Sequence, residues 1–152
     1  MAGARIEVKL DAGRALGGLR RAERVLSMGG EKAMWADIGE EAVQSVQKNF
    51  DQEGRPKKWK DWSVEYGEWR QAHRGEANGE EKILSLSGVL RNSINARPYA
   101  RRVVIGTNVE YAATHQFGRG AIPARPYLMV QPEDYTEFGL IIEEHIADAF
   151  NG

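Results

Sequence analysis

The chain holds 152 residues, 41% hydrophobic and 28% charged, with no cysteine. That is the length of one ordinary domain, and it excludes disulfides, thiol catalysis and thiolate metal sites. No window approaches the ~18 to 20 uninterrupted apolar residues of a membrane-spanning helix, and the first residues offer no apolar core for a secretory leader, so neither is expected. The formal net charge of -1 hides an uneven spread: residues 1–30 sum to +3, 31–54 to -4, 55–82 to +1, 83–127 to +5 and 128–152 to -6. The basic block rests on Arg91, Arg97, Arg101, Arg102, Arg119 and Arg125. A nucleic-acid binder usually carries a basic excess over the whole domain. Separated blocks of opposite sign favour contacts between proteins, within one chain or between copies.

Ile6, Val8 and Leu10 alternate with Arg5, Glu7 and Lys9, the period of a half-buried strand. Asp11 is a cap for a following helix whose apolar positions run from Ala12 to Leu26 and stop at Gly29-Gly30. A second helix is predicted over about residues 31–50, with Trp35, Ile38, Ala42, Val46 and Phe50 as its apolar stripe and Glu31 at the positive end of its dipole. Residues 51–82 form an irregular, Trp-rich insertion holding Trp59, Trp62, Tyr66 and Trp69. Within it a short helix over about 63–73 is predicted, capped by Ser63. Ser87 caps another short helix carrying Leu90 and Ile94. Residues 95–107 read as a hairpin that turns near 99–101 and returns through Val103-Val104-Ile105. Asn108 is expected to cap a short helix through Tyr111, Ala112 and His115, ending at Gly118. Residues 126–130 are predicted to be a last strand. Pro132 opens the final helix with Glu133 and Asp134 in its first turn, and Phe138, Ile141, Ile142, His145, Ile146 and Ala149 keep one clean face. This order predicts an α+β fold in a single domain over 1–152, a small, mostly antiparallel sheet packed against a long helix in the N-terminal half and a C-terminal helix.

Reactive chemistry is scarce. His73, His115 and His145 show no metal-ligand spacing; His145 lies on an apolar helix face and reads as a packed histidine, and His73 as a solvated one. His115 has Glu110, Thr114 and Arg119 nearby in sequence, but positions 110 and 115 do not share a helical face, so a base with its nucleophile is not expected. Its plain reading is a residue that holds the following loop by a hydrogen bond. Gly118-Arg119-Gly120 lacks the strand and lysine of a phosphate loop. Arg55, Lys57, Lys58 and Trp59 mix basic and aromatic groups as single-strand binders do, and the basic aromatic stretch from Arg55 to Trp69 carries the rival reading of a single-stranded nucleic-acid-binding module. Glu80-Glu81 and Glu143-Glu144 read as solvated faces.

Several pieces in order carry a resemblance: Asn49-Phe50, Gly54-Arg55-Pro56 and Trp59; Ile83-Leu84-Ser85-Leu86-Ser87-Gly88-Val89-Leu90-Arg91-Asn92-Ser93-Ile94; Val104-Ile105-Gly106-Thr107-Asn108; Tyr111-Ala112-Ala113-Thr114-His115-Gln116-Phe117-Gly118; and Ile122-Pro123-Ala124-Arg125-Pro126-Tyr127-Leu128. Over roughly residues 35–150 the chain resembles the phage virion morphogenesis family, the tail-completion proteins of Mu-like phages. The resemblance implies a non-enzymatic structural protein of the tail end or neck. It implies a ring, commonly hexameric, around a DNA channel, where DNA is only passing cargo. It also implies connector, tail-tube or terminator proteins as neighbours, no membrane and no cofactor, a place in the virion, and assembly in the host bacterial cytoplasm. A transient tail-assembly factor is the other reading within that family.

The residues fit an assembly role. Pro123 and Pro126 stiffen the loop around Arg125, and a stiff loop loses less entropy on docking. Arg125 either presents its planar head to a neighbour's carboxylate or caps its own domain. Trp59, Trp62 and Trp69 are either interface anchors or a satellite cluster under the insertion. With Arg91, His115, Phe117, Arg119, Pro123, Glu143 and Glu144 they form the expected assembly interface.

Overall fold

A computed structural model describes residues 3–9, 30–73 and 81–151. Helix α1 (Gly30–Asp51) is the element on which the rest is laid. Its predicted stripe of Trp35, Ile38, Ala42, Val46 and Phe50 recurs every three or four residues, and all five side chains are buried. One flank of α1 lies on a three-stranded antiparallel sheet and another meets the C-terminal helix.

The sheet is formed by β1 (Ala4–Val8), β2 (Asn95–Pro98) and β3 (Val103–Thr107), in the order β1-β3-β2. In register, Ala4 faces Thr107 and Val8 faces Val103, while Asn95 faces Gly106 and Pro98 faces Val103. The hairpin closes where expected, with Tyr99 N–H donating to the Arg102 carbonyl at 2.8 Å. Val103 and Ile105 turn inward with no exposed surface. Gly39 lets the α1 backbone press on this face: a Cβ there would sit 2.8 Å from both Ala96 Cβ and Val103 Cγ2. Leu10, the predicted helix from Asp11 to Gly29, and most of the polar run after His73 lie outside the described residues.

Three short helices follow the long one. The first, α2 (Val64–Ala72), is capped as expected, Ser63 Oγ accepting from Tyr66 N–H at 3.3 Å. The second, α3 (Val89–Asn92), begins after Gly88, which occupies the N-cap with φ 72°. Ser87 contributes a 3.4 Å acceptor to Val89 N–H from one residue further out, and Ile94 falls beyond the helix yet is buried. The third, α4 (Ala112–Phe117), starts later than the Asn108 cap predicts: Tyr111 holds the N-cap without a side-chain bond. Thr107, not Asn108, serves this turn, accepting from Val109 N–H at 3.1 Å. Gly118 ends α4 with φ 78°, where a Cβ would strike the Ala124 backbone nitrogen at 2.8 Å; its ψ of 159° makes this an extended exit rather than a left-handed helical cap.

The predicted strand at residues 126–130 is not one. The segment bends at Leu128, where Met129 N–H turns back to the Tyr127 carbonyl at 3.1 Å, and other main-chain groups bond to side chains instead of to a ladder. Tyr127 and Leu128 N–H groups donate to Gln116 Oε1 at 3.1 and 2.9 Å, and Gln116 Nε2 returns a bond to the Leu128 carbonyl. On the other side Asn49 Nδ2 donates to the carbonyls of Tyr127 and Met129 at 2.7 and 2.9 Å. Two amide side chains thus satisfy backbone groups that must otherwise find a strand partner. The final helix, α5 (Asp134–Asn151), follows a turn at Pro132 and packs on α1 through Phe138, Ile141, Ile142 and Ile146. His145 is satisfied there, its Nε2 2.6 Å from Asp37 Oδ2 on α1.

Candidate functional site

A groove of about 730 Å³ opens between the start of α2, the segment leading into α3, and the loop after α4. Trp62, Leu84, Leu86, Leu90, Ile122 and Pro123 supply its apolar lining. Lys60, Arg70, Lys82 and Arg125 line it too, with Asp61 as the acid among the lining residues. The groove exists because Arg125 ties its walls together. Arg125 Nε donates to the Lys60 carbonyl at 2.8 Å and Nη2 to the Asp61 carbonyl at 3.0 Å, while its own N–H donates to the His115 carbonyl at 2.7 Å. One residue therefore joins the proline loop, α4 and the run into α2.

Arg125 is only 7% exposed, so it caps its own chain and is not presented to a neighbour's carboxylate. Trp59 is likewise corrected. It is a core residue, 7% exposed, edge-on to Phe50 at 5.8 Å, with its indole N–H on the Pro126 carbonyl at 3.2 Å. Arg91 also turns inward, Nε donating to Gln47 Oε1 at 2.8 Å and Nη2 lying 2.6 Å from Asp51.

His115 lines the groove, but its ring makes no hydrogen bond among the described residues and its Nδ1 is buried without a partner. His115 does hold the following loop by a hydrogen bond, and it does so through its carbonyl, which accepts from Arg125 N–H at 2.7 Å. Burial first, and the nearby Arg125 charge second, hold this imidazole below the ordinary 6.5. The cation is disfavoured because it would lose water and face another cation.

The other expected residues are half-buried or exposed. Trp62 stands just ahead of α2, half-buried against the core, and Trp62, Tyr66, Trp69 and His73 touch one after the next, with ring centroids 5.9, 5.8 and 4.6 Å apart. Arg70 lies over Trp62 at 4.9 Å. His73, expected to be solvated, is half-buried against Trp69, its Nδ1 2.8 Å from the Trp69 carbonyl. Phe117 is 73% exposed, and Arg119 is exposed at the tip of a tight turn whose N–H and carbonyl pair with Ile122 at 3.0 Å. Glu143 and Glu144 are exposed on α5. Trp62, His115, Pro123 and Arg125 are thus brought together at one groove. Trp69, Phe117 and Arg119 sit on elements flanking it, while Trp59 and Arg91 turn into the fold.

Sequence reasoning missed a buried polar hub. Arg55 donates from Nε to Asn49 Oδ1 at 2.8 Å, and from Nη2 to the Ser45 carbonyl and Oγ at 2.8 and 2.7 Å. Ser45 Oγ donates to Asp134 Oδ2, which also accepts from Gln131 N–H at 2.6 Å. Gln131 Nε2 returns to the Arg55 carbonyl at 3.0 Å. Ser45, Asn49, Gln131 and Asp134 are all buried. The available signal was the placement of Ser45 and Asn49 one step from Val46 and Phe50 on α1, beside the buried stripe.

A family model for the phage virion morphogenesis family matches residues 11–147. The chain belongs to the phage virion morphogenesis family. The match begins well before the motifs around residue 35, so it includes the segment that carries none of them. The chain is 34% identical over 113 residues to the "Mu-like prophage FluMu G protein 2" of Haemophilus influenzae, covering 70% of this chain and 68% of that one. It is 34% identical over 118 residues to the "Putative capsid assembly protein G" of Escherichia phage Mu, covering 70% and 74%. No solved structure matches significantly. In this virion morphogenesis chain, no helix among the described residues is long and apolar enough to cross a membrane.

Proposed function

We propose that the chain is a structural, non-enzymatic part of the phage particle that closes into a ring at the tail end or neck, around the DNA channel. Membership of the virion morphogenesis family over residues 11–147 carries this reading. A relative described as a capsid assembly protein supports it. Its neighbours are further copies of itself, with connector, terminator or tail-tube proteins above and below, and assembly takes place in the host cytoplasm.

The charge layout supports contacts between copies. Arg102 pairs with Glu7 at 3.0 Å and Arg91 with Asp51, while Arg125 is held by carbonyls. On α5, Glu137, Glu143, Glu144 and Asp148 are exposed and make no ion pair among the described residues. That acidic surface is left for a partner. A ring needs heterologous contacts, in which one face of a subunit meets a different face of the next.

The rival platform for single-stranded nucleic acid loses two of its groups, because the Arg55 side chain and Trp59 are occupied inside the fold. Mass spectrometry of purified particles and of tail precursors tests the proposal. The chain is expected in the mature particle at a fixed copy number. Presence in precursors alone identifies a transient factor, and absence from both refutes the assignment.

A further inference from the structure

We infer that the outward face of the three-stranded sheet receives helix α5 of a second copy of this chain, an inference that rests on the ring reading and names the two surfaces that meet. The other face of the sheet lies on α1, where Val103 and Ile105 have no exposed surface. Arg5 and Glu7 of β1, Val104 and Gly106 of β3, and Asn95 and Arg97 of β2 point outward. In register they form two rows, Arg5–Gly106–Asn95 and Glu7–Val104–Arg97. The charge of this face is not consumed inside the chain. Arg5, Arg97 and Arg101 are exposed, and their side chains make no ion pair among the described residues. Glu7, the one acid on the three strands, already serves two other cations, Lys9 at 3.3 Å and Arg102 at 3.0 Å. The middle of the face is low and apolar: a Cβ at Gly106 would stand 2.8 Å from Arg5 Cβ, so β3 offers only Val104 between the flanking charges.

The outer side of α5 has the opposite make-up. Leu140, 54% exposed, and Ala147 form a ridge on the side away from Phe138, Ile142 and His145. Glu137, Glu144 and Asp148 make a stripe along one flank of that ridge, with Glu143 on the other. All four are exposed and make no ion pair among the described residues. The stripe is about 16 Å long, and Arg5 and Arg97 stand about 12 Å apart on the diagonal of the sheet, so more than one pair can form at once. Asp148 also sits in the last turn of a helix that has no basic residue there, where the negative end of the dipole repels it. An arginine from the next copy removes that repulsion. A second copy is favoured over DNA because the unengaged charges of the two surfaces offset each other within one chain. A polyanion on the sheet leaves the acidic stripe unmatched, and at a net charge of -1 the chain lacks the overall basic excess of a nucleic-acid binder. The sheet and α5 pack on different flanks of α1. One chain therefore offers both surfaces at once, which is the requirement for a heterologous chain of contacts.

Charge reversal tests the contact. Arg97→Glu with Arg101→Glu reverses the sheet, and Glu137→Lys with Glu144→Lys reverses the helix; all four side chains are exposed in the lone chain. By mass photometry or sedimentation, each double variant alone is expected to associate about tenfold more weakly than the parent, because like charges then meet. An equimolar mixture is expected to recover, since each sheet then meets a helix of opposite sign, and only folded variants can do this. The parent supplies a reading that needs no variant: its association is expected to fall about tenfold between about 0.05 and 0.5 M salt. Unchanged association in either variant, a mixture no stronger than its parts, or a parent indifferent to salt overturns the contact, while a self-associating parent keeps the ring reading intact. A parent that stays monomeric overturns both. Duplex DNA bound by the parent and lost on reversing the arginines, with self-association unaltered, assigns the sheet to nucleic acid instead.

Discussion

Arg125 shows what a single side chain contributes. Its guanidinium makes two charge-assisted bonds to main-chain carbonyls at 2.8 and 3.0 Å, each worth about 1.5–3 kcal/mol. Arg125→Ala is expected to destabilise the fold by about 2–4 kcal/mol, read as a lower urea midpoint at constant slope. Arg125→Lys recovers only part of this, because an ammonium lacks the fork that spans both carbonyls. A midpoint unchanged by either variant contradicts the assignment. His115, on the same groove, is held neutral by burial and by Arg125. The unfolded chain takes up the proton first as pH falls. The stabilisation is therefore complete above about pH 6.5 and is lost progressively below it, down to the lowered folded value. His115→Gln is expected to flatten that part of the stability profile; the parental slope surviving in the variant shows that another group causes it. The sequence exposes Arg125 between two prolines but not where its head points. Interior and interface arginines carry the same residue signal.

Elements of strong period were legible, and those defined by distant side chains were not. The stripe from Trp35 to Phe50 predicts α1 because one face of a helix returns every 3.6 residues, and the same pattern from Phe138 to Ala149 predicts α5. The segment at 126–130 reads as a strand because Tyr127 to Val130 is a short apolar run behind a proline. Nothing local says that Gln116 and Asn49 will stand where ladder partners are expected. The start of α5 was half legible. Pro132 and Asp134 mark it, but the role of Asp134 depends on Ser45, 89 residues away. Asp134 reaches back three residues to Gln131 N–H, the reciprocal bond that the acid of a capping box makes, and locks α5 to α1. Asp134→Ala leaves that N–H and the Ser45 hydroxyl without their acceptor, and is expected to cost about 2–4 kcal/mol in a denaturation experiment. Asp134→Asn, which keeps an oxygen, costs less. Equal stability of all three proteins removes the hub from the account.

For the whole molecule, the groove became visible only once the fold was assembled. Its lining comes from five stretches between Lys60 and Arg125, none of which is a pocket by itself. The family was legible because its motifs keep their order, and the match over residues 11–147 bears it out. The separation of charge matters at this scale too. Reversing Glu143 and Glu144 to lysine is expected to weaken self-association most at low ionic strength and progressively less as salt shortens the range of the attraction. Association by the double variant equal to the parent at low salt counts against an electrostatic junction. The most direct test of the central claim is cryo-electron microscopy of the intact particle, with this chain located in the density. The account predicts a closed ring of this chain at the tail end or neck, encircling the DNA channel. A particle in which the chain forms no ring, or lies away from that channel, contradicts it.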